Sequence, residues 1–260
     1  MNGEAPTAEE PKKKKSRKKL WIVLASVALF LSLLVGACAL YLGDYYKADR
    51  AAIDAFAPMN EVTFHTEKNG NVIFEAEGAR VGLIFYPGGK VETEAYMPLM
   101  AAFARRGIFC VLIDMPFRLA VFDIDAADGI PARYPQIENW YIGGHSLGGA
   151  MAASYLAEHQ SEFEGLLLLA AYSSADLSQS NLAVLSVYGT EDKVMNRQKY
   201  EKNKKNLPEN FREVIIDGGC HAYFGMYGAQ DGDGTPTVTN KEQIMASADA
   251  MAAMVAEAID

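Results

Sequence analysis

From residue 20 to residue 42 the chain reads LWIVLASVALFLSLLVGACALYL, 23 residues without a charge. Such a segment has no polar face to turn toward water, and a lipid bilayer satisfies it only as a helix that closes its own backbone hydrogen bonds. At about 1.5 Å of rise per residue it spans roughly 34 Å, enough for a hydrocarbon core of about 30 Å with some tilt. Seven basic residues precede it, Lys12 to Lys15, Arg17, Lys18 and Lys19, against three acidic ones, Glu4, Glu9 and Glu10. A basic flank is retained in the cytoplasm. The expected organisation is a basic cytoplasmic tail over 1–19, a transmembrane helix over 20–42, a juxtamembrane segment over 43–59 and an outward-facing body over 60–260.

Two other readings of this segment stay open. A basic start followed by an apolar core also describes a signal peptide, although this run is longer than the usual apolar core and lacks a clean small-residue break before polar sequence. Leu34-Val35-Gly36-Ala37-Cys38 has the form of a lipobox, which would anchor a lipoprotein at Cys38, but the apolar run continues past it. All three readings place the body outside the cytoplasm.

Beyond the tail the charge reverses, with 17 basic and 30 acidic residues. An acidic body argues against a nucleic-acid partner, because a phosphate backbone needs a basic face. Protein partners leave no signature. Cys38, Cys110 and Cys220 match no metal knuckle or redox pair, and four histidines leave little room for a histidine-built metal site. Gln230-Asp231-Gly232-Asp233-Gly234 has the look of a calcium loop but lacks the remaining oxygen ligands at their spacing, so it is read as a glycine-rich surface turn. No nucleotide, flavin or metal site is expected, and the chemistry outlined below needs no cofactor.

The body alternates strand and helix signals. Runs at 62–65 and 71–76 flank Lys68-Asn69-Gly70, a hairpin signal. Short, nearly continuous apolar runs at 80–86, 108–113, 139–142, 165–170, 182–188 and 213–216 read as buried strands. Helical spacing fills 92–106, 147–159, 198–206 and 242–259, with a further helix expected over 119–127 and a juxtamembrane helix between 43 and 60. Apolar strands separated by helices imply an α/β fold: one open, mostly parallel sheet covered on both faces, with the hairpin as an antiparallel edge.

The strongest chemical signal is Gly144-His145-Ser146-Leu147-Gly148, directly after a strand and opening an alanine-rich helix. A serine at the tip of a sharp strand-to-helix turn needs small neighbours two residues away on each side. The helix start also turns backbone N–H groups toward developing negative charge.

On these residues the chain resembles the α/β-hydrolase superfamily, in particular its compact serine esterases and dienelactone-hydrolase-like members, over residues 60–260. The resemblance implies hydrolysis of ester, thioester or amide bonds through a nucleophile, an acid and a histidine in that order, each on a loop after a strand. Ser146 then matches the nucleophile. Asp192, in Tyr188-Gly189-Thr190-Glu191-Asp192, matches the acid, with Glu191 and Asp176 as competitors. His221, in Gly218-Gly219-Cys220-His221, matches the base, and Cys220 beside it reads as a buried small residue. Leu147 N–H would give one oxyanion donor. The second lies in Tyr86-Pro87-Gly88-Gly89-Lys90, where proline donates nothing and Gly89 is preferred to Lys90; the His-Gly-Gly found there in many esterases is missing.

The C-terminal ends of strands in open α/β sheets form the ligand crevice. Phe117, Phe122, Tyr223 and Phe224 are therefore candidate pocket residues, with Tyr227 beside them and Arg118 undecided between a substrate carboxylate and solvent. The short stretch from 170 to 181 holds no lid domain, which favours small soluble ester substrates over interfacial lipid. A peptidase, thioesterase or acyltransferase with the same triad, or an inactive hydrolase fold used for binding, are the competing functions. The membrane reading makes a direct prediction: protease added outside intact cells should remove the body and leave a short protected fragment. A fully protected body would overturn the outward orientation.

Overall fold

The computed structural model describes residues 17–259; most of the basic tail, residues 1–16, lies outside the described residues. The chain divides into two compact units, residues 1–44 and 45–260. The first is one helix, α1 (Arg17–Gly43). Residues 19–43 are long and apolar enough to cross a membrane by length and composition, and their side chains are exposed nearly throughout.

The second unit is built on one eight-stranded sheet in the order β1-β2-β4-β3-β5-β6-β7-β8. The hairpin signal becomes β1 (Thr63–Thr66) and β2 (Val72–Glu75), antiparallel to each other, with β2 also antiparallel to β4. The remaining strands run parallel: β3 (Val81–Tyr86), β4 (Ile108–Leu112), β5 (Asn139–His145), β6 (Gly165–Leu169), β7 (Ala183–Gly189) and β8 (Arg212–Ile216). The helices of this unit are α2 (Arg50–Asp54), α3 (Met97–Ala104), α4 (Ile130–Arg133), α5 (Leu147–Glu158), α6 (Arg197–Asn203) and α7 (Asn240–Ile259).

The central strands β3, β4 and β6 are buried at every position because the sheet has a core on each face. Successive side chains point to opposite sides, so Leu83, Phe85, Leu167 and Leu169 join one core with Leu99 and Phe103 of α3 and Ile244 and Met251 of α7. Ile84, Tyr86, Leu166 and Leu168 join the other with Ala152, Ala153 and Leu156 of α5. This two-sided cover is what the near-continuous apolar runs required.

Two expected helices differ. Residues 119–127 hold only a short 3-10 turn (Ala120–Phe122), preceded by another at Pro116–Arg118. Phe117 (φ 53°) and Arg118 (φ 60°) take left-handed backbone, which breaks any helical path through the loop. Between 43 and 60 the helix is only α2, because Tyr46 is engaged in strand-like pairing. Its N–H donates to Lys90 O at 2.8 Å, and its C=O accepts Glu92 N–H at 2.9 Å. Its hydroxyl accepts Asp231 N–H at 3.1 Å, and its ring packs on Tyr227. Asp49 N–H reaches Met226 O at 2.8 Å, and the Arg118 guanidinium lies 3.5 Å over the Tyr45 ring.

Residues 45–49 thus form a strap across three loops at the C-terminal end of the sheet. Tyr46→Ala should raise amide hydrogen exchange in residues 88–92 and 225–231 while β3 and β5 stay protected. Unchanged exchange in both loops would show that the strap does not hold them.

Candidate active site

The parallel strands end on one side of the sheet, and the loops that leave them there converge. At the end of β5 the backbone turns through Ser146, whose φ of 51° and ψ of −120° lie outside the regions favoured by residues with a side chain. Ser146 N–H donates to Leu169 O at 2.9 Å, and Ser146 C=O accepts from Ala150 N–H as α5 begins. The two glycines are dictated by space. A Cβ on Gly148 would stand 2.2 Å from the carbonyl oxygens of both Tyr86 and Pro87, and one on Gly144 would stand 2.5 Å from Tyr86 O.

Asp192 sits in the loop after β7 with its carboxylate buried. Oδ1 accepts the backbone N–H groups of Val194 (2.9 Å) and Met195 (2.8 Å), which fixes the carboxylate in place. Oδ2 lies 2.9 Å from His221 Nδ1. Neither alternative carboxylate is placed this way. Asp176 is exposed and caps its own loop through Ser178 N–H, and Glu191 faces Lys193 at 4.0 Å.

His221, on the loop after β8, is held by residues that no motif announced. Gln243 of α7 is fully buried and grips Cys220 from both sides: its Oε1 accepts Cys220 N–H at 3.0 Å and its Nε2 donates to Cys220 O at 2.7 Å. Asp233, expected to be part of a plain surface turn, accepts Ala222 N–H at 2.9 Å and Lys193 N–H at 3.3 Å, so it ties the loop of the histidine to that of the acid. Burial opposes its charge, but the N–H groups of Ala222, Gly234, His221 and Lys193 outweigh that and hold its carboxyl below the usual range. Burial pushes the Cys220 thiol up to about 12, which leaves it protonated and unreactive at neutral pH.

Within Pro87-Gly88-Gly89-Lys90, one backbone donor is uncommitted among the described residues. Pro87 has none, Gly88 N–H donates to Tyr96 Oη at 3.1 Å, and Lys90 N–H donates to Arg118 O at 2.8 Å. Gly89 N–H has no partner among the described residues, and a Cβ on Gly89 would stand 2.9 Å from Leu147 Cδ2, so this glycine faces the start of α5. Leu147, as the first helical residue, also has a free N–H.

Beneath these loops lies His145, buried, with its ring 4.5 Å from that of His221 and its Nδ1 2.8 Å from Tyr96 Oη. Its Nε2 has no hydrogen-bond partner among the described residues. Burial, and secondarily the neighbouring His221, keep its basicity well below that of a free imidazole, so it is neutral. A neutral ring lets Tyr96 O–H donate to Nδ1 while its oxygen accepts Gly88 N–H, linking the β3 loop to the floor of the site.

Ser146, Leu147 and His221 open on one cleft of about 590 Å³, lined also by Ala170, Ala171, Tyr172, Ser174, Val194, Met195 and Lys199. The expected aromatic pocket is not there. Phe117 and Phe122 are 60% and 58% exposed, pack on each other, and Phe117 borders a separate cavity with Glu92, Asp114 and Arg118. Phe224 is fully buried against His145, and Tyr223 and Tyr227 pack into the core on the α7 side. The strained turn at Phe117 and Arg118 directs the first pair outward, and the 222–224 turn directs Phe224 inward.

Residues 82–245 match the model of the alpha/beta hydrolase family, and the chain belongs to that family. Among solved structures, dienelactone hydrolase from Anabaena variabilis is 16% identical (TM-score 0.54) and aligns over 75% of this chain and 98% of its own. A soluble variant of monoglyceride lipase from Saccharomyces cerevisiae is 10% identical (TM-score 0.55), over 75% and 94%. A bacterial membrane phospholipase A is 11% identical (TM-score 0.55), over 94% and 99%. At these identities the likeness is one of fold. No curated protein matches the sequence.

The neutral His145 has a consequence for stability. Unfolded, an imidazole takes up a proton near pH 6.5; folded, this one resists until well below that. The unfolded chain therefore binds more protons as pH falls, and the stability present above about 6.5 is lost below it. The urea midpoint should drop between pH 7.5 and pH 5, and drop less in His145→Gln. Equal drops in parent and variant would show that His145 does not carry the effect.

Proposed function

We propose that the protein is a serine hydrolase that cleaves small carboxylic esters through Ser146, His221 and Asp192. The observation that carries this reading is the buried Asp192–His221 contact, 2.9 Å long, on a histidine that shares its cleft with a serine at a strained strand-to-helix turn. Asp192 holds the Nδ1–H tautomer, which leaves Nε2 to take the Ser146 proton as Oγ attacks the ester carbonyl. The carbonyl oxygen gains negative charge in the tetrahedral intermediate and is met by the N–H groups of Leu147 and Gly89. The intermediate collapses as the imidazolium gives its proton to the leaving alkoxide, and an ester forms on Ser146. Water then attacks this ester as it loses its proton to His221, and the second tetrahedral intermediate collapses by breaking its bond to Ser146 Oγ, which takes the proton back from His221 as the acid leaves. Every step uses side chains and backbone of this chain, without metal or cofactor.

The apolar helix gives the enzyme its place. Residues 20–42 would anchor it in the bilayer, with the basic tail 1–19 inside and the catalytic domain, residues 60–260, outside after the segment 43–59. The cleft itself favours small esters: residues 170–181 form a loop with no lid helix, and Ala171, Tyr172 and Ser174 border the opening directly.

A fluorophosphonate probe should label the purified full chain on Ser146, and Ser146→Ala should abolish both labelling and turnover of p-nitrophenyl esters. His221→Ala should lower turnover by roughly a thousandfold or more, and Asp192→Asn by a comparable factor. The losses should not add, because the three act as a unit. Full turnover in Ser146→Ala would overturn the reading.

A further inference from the structure

Polar groups along the cleft wall facing α6 divide into those already committed and those still available. Asn196 Oδ1 accepts Lys199 N–H at 2.9 Å. Asn203 Nδ2 donates to Lys199 O at 2.8 Å, and its Oδ1 accepts from Asn206 at 3.1 Å. The backbone of Lys199 is thus clamped from both sides, while its ammonium makes no ion pair among the described residues.

Two neighbouring cations of the same segment are committed to other partners. Arg197 stacks 3.8 Å over the Tyr188 ring, and Lys204 pairs with Glu201 and Glu213. Among the described residues lining the cleft with Ser146, Lys199 is the only lysine or arginine. The hydroxyls of Ser174 and Tyr172 line the same cleft and make no hydrogen bond among the described residues. A cleft of 590 Å³ is roughly 10 Å across, the scale of a small ester held at Ser146.

We infer that the substrate carries an anionic group, a carboxylate or phosphate, a few bonds from the scissile carbonyl, and that Lys199 binds it with help from Ser174 and Tyr172. This rests on the catalytic reading of Ser146 and adds the class of ester. The remainder of the lining, Ala150, Ala170, Ala171, Val194 and Met195, is small or apolar and suits the short chain joining the two groups.

The test uses the full chain and two matched pairs of esters. One pair places the charge on the acid side: the 4-nitrophenyl half-ester of adipate against its carboxamide analogue. The other places it on the alcohol side: 4-carboxyphenyl acetate against 4-carbamoylphenyl acetate. In one pair kcat/KM should favour the carboxylate by about tenfold, the scale of a charge-assisted contact. That ratio should fall toward one in Lys199→Met, survive in Lys199→Arg, and shrink in the parent as salt is raised. Because the readout is a ratio, partial misfolding of a variant lowers both members and leaves it unmoved. Ratios near one in both pairs, or the parental ratio in Lys199→Met, overturn the inference while the catalytic reading stands. Turnover that survives in Ser146→Ala overturns the catalytic reading, and this inference with it.

Discussion

The end of β3 and the start of α5 pass so close together that no side chain fits between them. Position 148 would set a Cβ 2.2 Å from two carbonyl oxygens, and position 144 one at 2.5 Å, so both are glycine. This contact turns the chain sharply enough to hold Ser146 at a left-handed φ on the rim of the sheet. It also brings the Gly88-Gly89 loop against Leu147, because the strand that crowds the helix is the one that feeds that loop. A serine beside two free N–H groups is the direct result of one steric constraint.

Around that contact the site is held by buried polar groups that satisfy one another. Tyr96 joins Gly88 to His145, Gln243 grips the backbone before His221, and Asp233 spans the two loops that bring histidine and acid together. Each of these groups loses water on burial and regains hydrogen bonds only in this arrangement, so the loops have few alternative positions. The strap of residues 45–49 adds backbone pairing to the loops after β3 and β8 from outside. These two loops are therefore supported on both sides, from the core by side chains and from the surface by main chain.

Order along the chain carried much of this. Alternating runs identified seven of the eight strands within a residue or two at most ends, and β5 as well, though it extends to His145 rather than stopping at residue 142. The places of Ser146, Asp192 and His221 on loops after strands were legible, because a sharp strand-to-helix turn needs local glycines and each of the three follows an apolar run. The stretch 119–127 was not legible as non-helical. Its apolar spacing fits a helix, and only the backbone shows that it holds a single 3-10 turn, Ala120–Phe122, directly after the left-handed pair at Phe117 and Arg118.

What the sequence determined by itself are properties set within a few residues: the apolar span, the two-sided strands, the elbow and its glycines. The tertiary structure decided matters between residues far apart in the chain. Asp192 rather than Glu191 or Asp176 meets His221, because the carboxylate must reach across from a different strand. Gly89 rather than Lys90 keeps a free N–H, because the Lys90 amide is taken by Arg118, 28 residues away. Aromatic residues after the strands are equally apolar whether they face a cleft, the core or solvent, so sequence did not distinguish Phe224 from Phe117. Gln243 and Asp233 carry no motif, since each is defined by the backbone it holds, and that backbone comes near only when the sheet has closed.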